Sequence, residues 1–130
     1  MIEITLPWPP SLNHYKKPGR LRRTKKGKLY QPKVNNPETI AYFYQVYMKT
    51  RSYMPSNGVI FSLGERLGVT LILHPPRKSC DIDNFCKVLF DALTKANVWT
   101  DDRQVYRLLV EKRKTKPGGE VQLAIYELED

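Results

Sequence analysis

Between Asp83 and Ala96 the apolar residues Phe85, Val88, Leu89, Ala92, Leu93 and Ala96 recur at the spacing of one helix face. A face of that width has to be buried, and the flanking segments alternate as strands do, so this helix is expected to pack on a sheet. Ile2, Ile4 and Leu6 alternate with polar residues in a half-buried strand that Pro7-Trp8-Pro9-Pro10 ends, because proline brings no N–H to a ladder. Asn36-Pro37-Glu38 has the form of a capped helix start, and Ile40, Phe43, Tyr44, Tyr47 and Met48 mark the apolar face of a helix running to about Ser52. A short strand is expected near Val59 to Leu63 and a firmer one through Leu67, Val69, Leu71, Ile72 and Leu73. Val105 to Val110 reads as a further strand, Lys116-Pro117-Gly118-Gly119 as a turn, and Val121, Leu123 and Ile125 as the partner in a hairpin. The fold class expected is α+β: a small, mostly antiparallel sheet with two main helices, in one domain covering residues 1–130. A chain of that length buries roughly two-thirds of its unfolded surface, enough for one core.

Charge is distributed unevenly. Lys16, Lys17, Arg20, Arg22, Arg23, Lys25, Lys26, Lys28 and Lys33 follow one another with no acid among them, so this segment holds the whole excess of +9 and the remainder is neutral. With Gly19, Gly27, Pro18 and Pro32, the stretch from about 14 to 36 reads as a long irregular loop with room for a short hairpin around Lys26-Gly27-Lys28. Long loops in compact domains are usually functional or disordered until bound. Because cations release the counterions of a polyanion, such a block favours nucleic acid over the alternatives, a solvated loop or an anionic membrane surface. Tyr15 and Tyr30 lie within it, as aromatics do on nucleic-acid surfaces. Lys112-Arg113-Lys114 forms a second, smaller basic spot.

No apolar run approaches the length of a membrane helix, and the N-terminus lacks the basic start and apolar stretch of a secretion signal, so a cytoplasmic location is expected. Cys80 and Cys86 have no second pair and no nearby histidine for a zinc site, and read as free thiols in a reducing compartment.

Acidic residues near the centre carry the chemistry. Asp81 and Asp83 flank Ile82, a spacing that puts two carboxylates on one side of an extended segment, and Asp83 stands where a helix N-cap belongs. A cap alone would account for Asp83 at about 1 kcal/mol of stability. A basic protein meeting DNA has reason to avoid acids near phosphates unless a divalent ion sits between them, and hard oxygen ligands suit magnesium. Asp81, Asp83 and Asp102 fit that role, Asp101-Asp102 being equally open to a turn reading. Lys87, one helical turn beyond Asp83, could hold a phosphate or stabilise the transition state, or else form an i, i+4 ion pair with Asp83 or Asp91.

Leu6-Pro7-Trp8-Pro9-Pro10-Ser11-Leu12-Asn13, Asp81-Ile82-Asp83-Asn84 followed by Lys87, Phe90-Asp91-Ala92-Leu93-Thr94-Lys95-Ala96 and Trp99-Thr100-Asp101-Asp102 together resemble the RusA family of Holliday-junction resolvases. The resemblance is dense from Asp81 to about Val105 and covers about half the chain. It implies a homodimer that binds four-way DNA junctions and nicks two opposed strands with magnesium, for which manganese can substitute. It implies metal binding and catalysis by Asp81, Asp83 and Asp102, and a catalytic contact by Lys87. Asp101 enters only as a supporting acid. Family members often place arginine before the first aspartate, where this chain has Cys80; Arg77 or Lys78 then takes over that DNA contact. Lys16, Lys17, Arg20, Arg22, Arg23, Lys25 and Lys26 complete the expected DNA-binding set.

The expected activity is therefore magnesium-dependent resolution of four-way junctions in recombination and repair, in a bacterial cell and with phage or prophage as one source. The rival from another class is a non-catalytic, structure-selective DNA-binding protein whose acids only cap a helix or hold a structural ion. A small-molecule phosphohydrolase would need a deep pocket and leaves the basic stretch unexplained.

Overall fold

In the computed structural model, which describes residues 1–11 and 15–129, the chain forms eight strands and two α-helices. Leu12 and Asn13 of the N-terminal motif, and the first residue of the stretch 14–36, lie outside the described residues. In chain order the elements are β1 (Ile2–Leu6), β2 (Lys16–Pro18), β3 (Arg22–Arg23), β4 (Leu29–Tyr30), β5 (Lys33–Asn35), α1 (Pro37–Thr50), β6 (Leu67–His74), α2 (Cys86–Lys95), β7 (Val105–Lys112) and β8 (Glu120–Glu127). Among the described residues no helix is long and apolar enough to cross a membrane.

Four strands form the main sheet in the order β1-β8-β6-β7. β8 runs antiparallel to β1 and to β6, whereas β6 and β7 are parallel. The α+β class holds and the sheet is mostly antiparallel, with the one parallel pair β6 and β7 making it mixed, but the expected hairpin between Val105–Val110 and Val121–Ile125 is not formed. α2 carries the chain back across the sheet, so the next strand lies parallel to β6, as a helical crossover requires. β8, with Val121, Leu123 and Ile125 all buried, takes the interior position between β1 and β6. β7, where Tyr106, Leu108 and Leu109 are exposed, takes the edge. The connection from β7 to β8 passes over the end of β6, with the Arg113 N–H donating to the Leu73 carbonyl (2.8 Å) and the Lys116 N–H to that of Pro75 (3.1 Å). It closes at Gly119, where φ is +75° and a Cβ would meet Trp8 at 2.7 Å. The strand expected near Val59–Leu63 is reduced to one bridge between Phe61 and Trp99.

All six residues of the Phe85–Ala96 face are buried, as their periodicity requires. The helix itself begins two residues later than the expected N-cap at Asp83 would place it. Ile82–Phe85 form a turn, and Phe85 is the N-cap with no side-chain cap bond. α1 starts as expected, with Asn36 accepting from the Glu38 N–H, but it is rotated relative to its expected face. Thr39, Tyr42, Phe43, Val46 and Thr50 are buried, whereas Ile40, Tyr44, Tyr47 and Met48 are exposed. Two polar anchors set this rotation: the Thr39 hydroxyl donates to the Tyr15 carbonyl (2.8 Å) and the Tyr42 hydroxyl to that of Pro7 (2.9 Å).

The basic stretch is ordered rather than irregular. β2 pairs with β5 and β3 with β4, both antiparallel, so residues 16–35 form a ribbon in two stages. Its tip turns at Gly27 (φ +84°), with the Gly27 N–H donating to the Thr24 carbonyl and the Thr24 N–H to that of Lys28, each at 2.9 Å. Gly19 permits the two stages to join: its N–H reaches the Pro32 carbonyl at 2.8 Å, and a Cβ would meet Val34 at 2.9 Å.

Candidate active site and nucleic-acid interface

Lys16, Lys17, Arg20, Arg22, Arg23, Lys25 and Lys26 are all exposed on this ribbon, with Lys28 and Lys33. Their side chains are largely left to solvent; Arg23 donates to the Gly27 carbonyl (3.1 Å) and Lys16 lies over the Tyr15 ring. Leu21, Leu29 and Tyr30 are exposed among them. Tyr15, by contrast, is not part of that surface. It is buried at the ribbon's base, edge-on to Phe43, and its hydroxyl donates to Asp91 of α2. Burial first, and then that bond, push the Tyr15 phenol above its usual range.

Asp81 and Asp83 lie on the segment between β6 and α2, and both are exposed. Because the helix begins at Cys86, Asp83 is not engaged as a cap; it acts on Cys86 only through charge, burial and then Asp83 pushing that thiol up. Among the described residues neither carboxylate is in an ion pair or hydrogen bond. The segment is tied down by Lys112 at the end of β7, whose ammonium donates to the carbonyls of Cys80 (2.9 Å) and Lys78 (3.2 Å). Arg77 and Lys78 are exposed on the same segment. Lys87, in the first turn of α2, reaches Asp91 at 3.5 Å. Asp91 thus joins the ribbon's base to the lysine. Its spacing from Lys87 was visible in the sequence, but its bond to Tyr15 was not.

Asp102 stands elsewhere. It opens the 3-10 turn Asp102–Gln104, which leads into the start of β7 and adjoins the start of β6: Gln104 donates to the carbonyls of Ser62 (2.7 Å) and Glu65 (3.2 Å). Asp101 caps that turn in a reciprocal box with Gln104 and lies 3.6 Å from Arg103, so its carboxylate is engaged structurally. Asp81 is held near one end of the eight-residue β7 and Asp102 near the other. A strand of that length spans about 23 Å. Consistently, no three His, Cys, Asp or Glu side chains among the described residues are grouped so as to hold a metal ion.

These features define an α+β protein that presents a cationic ribbon and uncommitted carboxylates to a polyanion. The sequence model of the family Endodeoxyribonuclease RusA matches residues 7–125. The crossover junction endodeoxyribonuclease RusA of Escherichia coli strain K12 is 35% identical over 125 residues, covering 96% of this chain and 93% of the relative. The same-named proteins of Shigella sonnei and Enterobacteria phage 82 are 34% and 33% identical over 96% of this chain. The chain belongs to the RusA family of endodeoxyribonucleases.

Proposed function

We propose that the protein is a magnesium-dependent endonuclease that resolves four-way DNA junctions by paired nicks in opposed strands, as a homodimer, in recombination and repair. The observation that carries this reading is the pair Asp81 and Asp83, exposed and free of capping bonds and ion pairs, beside Lys87 on a family endonuclease that also presents nine ribbon cations. The names of the relatives, crossover junction endodeoxyribonucleases, support the substrate. Their sources, Escherichia coli and a phage, support a bacterial cytoplasm as the place of action.

Asp81, Asp83 and Asp102 would hold the metal, Asp102 having to come from the second copy of the homodimer because one chain keeps it a strand's length from the other two; exposed carboxylates are the hard, charged donors magnesium takes, with manganese as a substitute. Bound there, the ion would lower the pKa of a water and polarise the scissile phosphate. The chain's own residues then position the strand. The ribbon cations, Arg77 and Lys78 hold phosphates; Lys87, reoriented from Asp91, meets charge that develops on the phosphoryl oxygens. Cleavage leaves a 5′-phosphate and a 3′-hydroxyl.

Labelled synthetic four-way junction and the matching linear duplex, each incubated with magnesium and with EDTA, test this reading. Paired, magnesium-dependent nicks confined to the junction are expected. The separation of Asp102 from Asp81 and Asp83 within one chain favours the rival, a non-catalytic structure-selective DNA-binding protein. Tight junction binding with no cleavage under either metal would establish that rival instead. A small-molecule hydrolase is disfavoured, because it leaves the nine cations of the ribbon unexplained.

A further inference from the structure

The cations of the ribbon cannot by themselves tell a junction from a linear duplex, because both present the same phosphates. A branch point differs in that bases beside the crossover lack a stacking neighbour and offer an apolar face. Resting on the junction-resolving reading above, we infer that Leu21 and Leu29, on the distal hairpin of the ribbon, form an apolar wedge that inserts against unstacked bases at the crossover and supplies the preference for branched DNA. Both leucines face solvent, at 67% and 55% exposure, and among the described residues nothing between Lys16 and Val34 joins the buried core. The β3–β4 register sets Arg22 opposite Tyr30 and Arg23 opposite Leu29, so Arg22 and Tyr30 share one face of the hairpin and Leu29 lies on the other. Leu21, next to Arg22, falls by alternation on the Leu29 side. Arg23 does not cover that side, because its guanidinium is folded onto the tip and donates to the Gly27 carbonyl at 3.1 Å.

A two-stranded ribbon has no core of its own in which to bury such a pair. Arg20, Arg22, Lys25, Lys26 and Lys28 surround it, so charge complementarity requires an occupant that is anionic and apolar at once. DNA with unstacked bases is both. A ribbon of this width enters the major groove of an intact duplex, where its cations still meet phosphates but stacking covers the base faces and leaves the leucines in water. Apolar side chains that enter between base steps act by unstacking them, which is easiest where stacking is already interrupted. The contribution of Leu21 and Leu29 therefore falls on the junction alone. An anionic membrane surface has similar chemistry, but the base of the ribbon is fastened to the helix of the candidate active site: Tyr15 donates to Asp91, which lies 3.5 Å from Lys87. That connection favours an occupant shared with the site.

Binding measured in EDTA, without turnover, tests the wedge apart from the chemistry. The probes are a synthetic four-way junction with 2-aminopurine beside the crossover and a linear duplex of the same sequence. Wild-type protein should bind the junction more tightly and brighten its 2-aminopurine as that base leaves the stack. Leu21→Ser with Leu29→Ser should abolish the brightening and lower the ratio of junction to duplex affinity at least tenfold, since burying one leucine is worth about tenfold. Duplex affinity, its salt dependence and the melting temperature should not change, and Leu21→Met with Leu29→Met should retain both the brightening and the ratio. An unchanged ratio in the serine variant, or an equal loss on both DNAs, would overturn the wedge and leave the junction-resolving reading standing. Phosphatidylserine vesicles that bind the wild type but not the serine variant, with the DNA ratio unchanged, would assign the leucines to a membrane surface instead. Wild-type protein with no preference for the junction would remove the junction-resolving reading itself.

Discussion

At the scale of single residues, the acids separate into two groups by what their carboxylates already do. Asp101 is engaged in a capping box and Asp91 in bonds to Tyr15 and Lys87, while Asp81, Asp83 and Asp102 remain exposed. Asp83→Asn is therefore expected to abolish cleavage and leave the melting temperature and junction affinity nearly unchanged, which thermal unfolding and gel-shift titration would check. Lys112→Met removes the two bonds that hold the Asp81 segment. Cleavage should fall at least tenfold with about 1 kcal/mol lost in stability, read by kinetics and urea unfolding together. Tyr15→Phe should cost roughly 1–2 kcal/mol, because it removes a bond to a charged acceptor. Since burial and Asp91 raise the Tyr15 phenol in the folded state, its contribution is complete below the unfolded tyrosine pKa of about 10 and declines as pH rises further. The wild type should lose stability above about pH 10, and Tyr15→Phe should lose less over the same interval; Tyr42, raised by burial alone, supplies the remainder.

At the scale of elements, the ribbon and α2 are joined at one residue pair but make separable contributions. Arg20, Arg22, Arg23, Lys25, Lys26 and Lys28 all lie beyond Gly19, on a hairpin that contributes nothing to the buried core. Replacing residues 20–31 by a two-residue turn should leave the melting temperature within a few degrees. The slope of log affinity against log salt should become shallower by about 0.9 for each phosphate that the ribbon no longer neutralises. An unchanged slope would show that the DNA phosphates are held by other parts of the protein. The residues of α2 show how far periodicity alone reaches: it identified the buried face without error, yet it misplaced the start by two residues, because Phe85, at the end of the turn Ile82–Phe85, continues the apolar register ahead of the helix. α1 shows the converse. Its polar Thr39 and Tyr42 are drawn inside by distant carbonyls, which no hydrophobic pattern records.

At the scale of the whole molecule, the unevenness of charge matters most. In the proposed homodimer, carboxylates brought together at the metal site would repel each other until a divalent ion intervenes. Magnesium should therefore raise the melting temperature of the wild type, by RT ln(1 + [L]/Kd), and raise it less in Asp81→Asn, as differential scanning fluorimetry would report. An equal rise in both proteins would place the ion elsewhere.

The existence and type of the main elements, the buried face of α2, the cationic stretch and the identity of the exposed acids all followed from local pattern, because helix periodicity and charge clustering are properties of neighbouring residues. Strand order did not. Whether Val121–Ile125 pairs with β7 or inserts between β1 and β6 depends on which edge offers more apolar surface to bury, a contest among segments far apart in sequence. The same long-range choice made β6-α2-β7 a parallel crossover and carried Asp102 to the far end of β7. Spacing along the chain, which set Asp81 and Asp83 on one side of a segment, could not register the helix and the strand's length that separate them from Asp102.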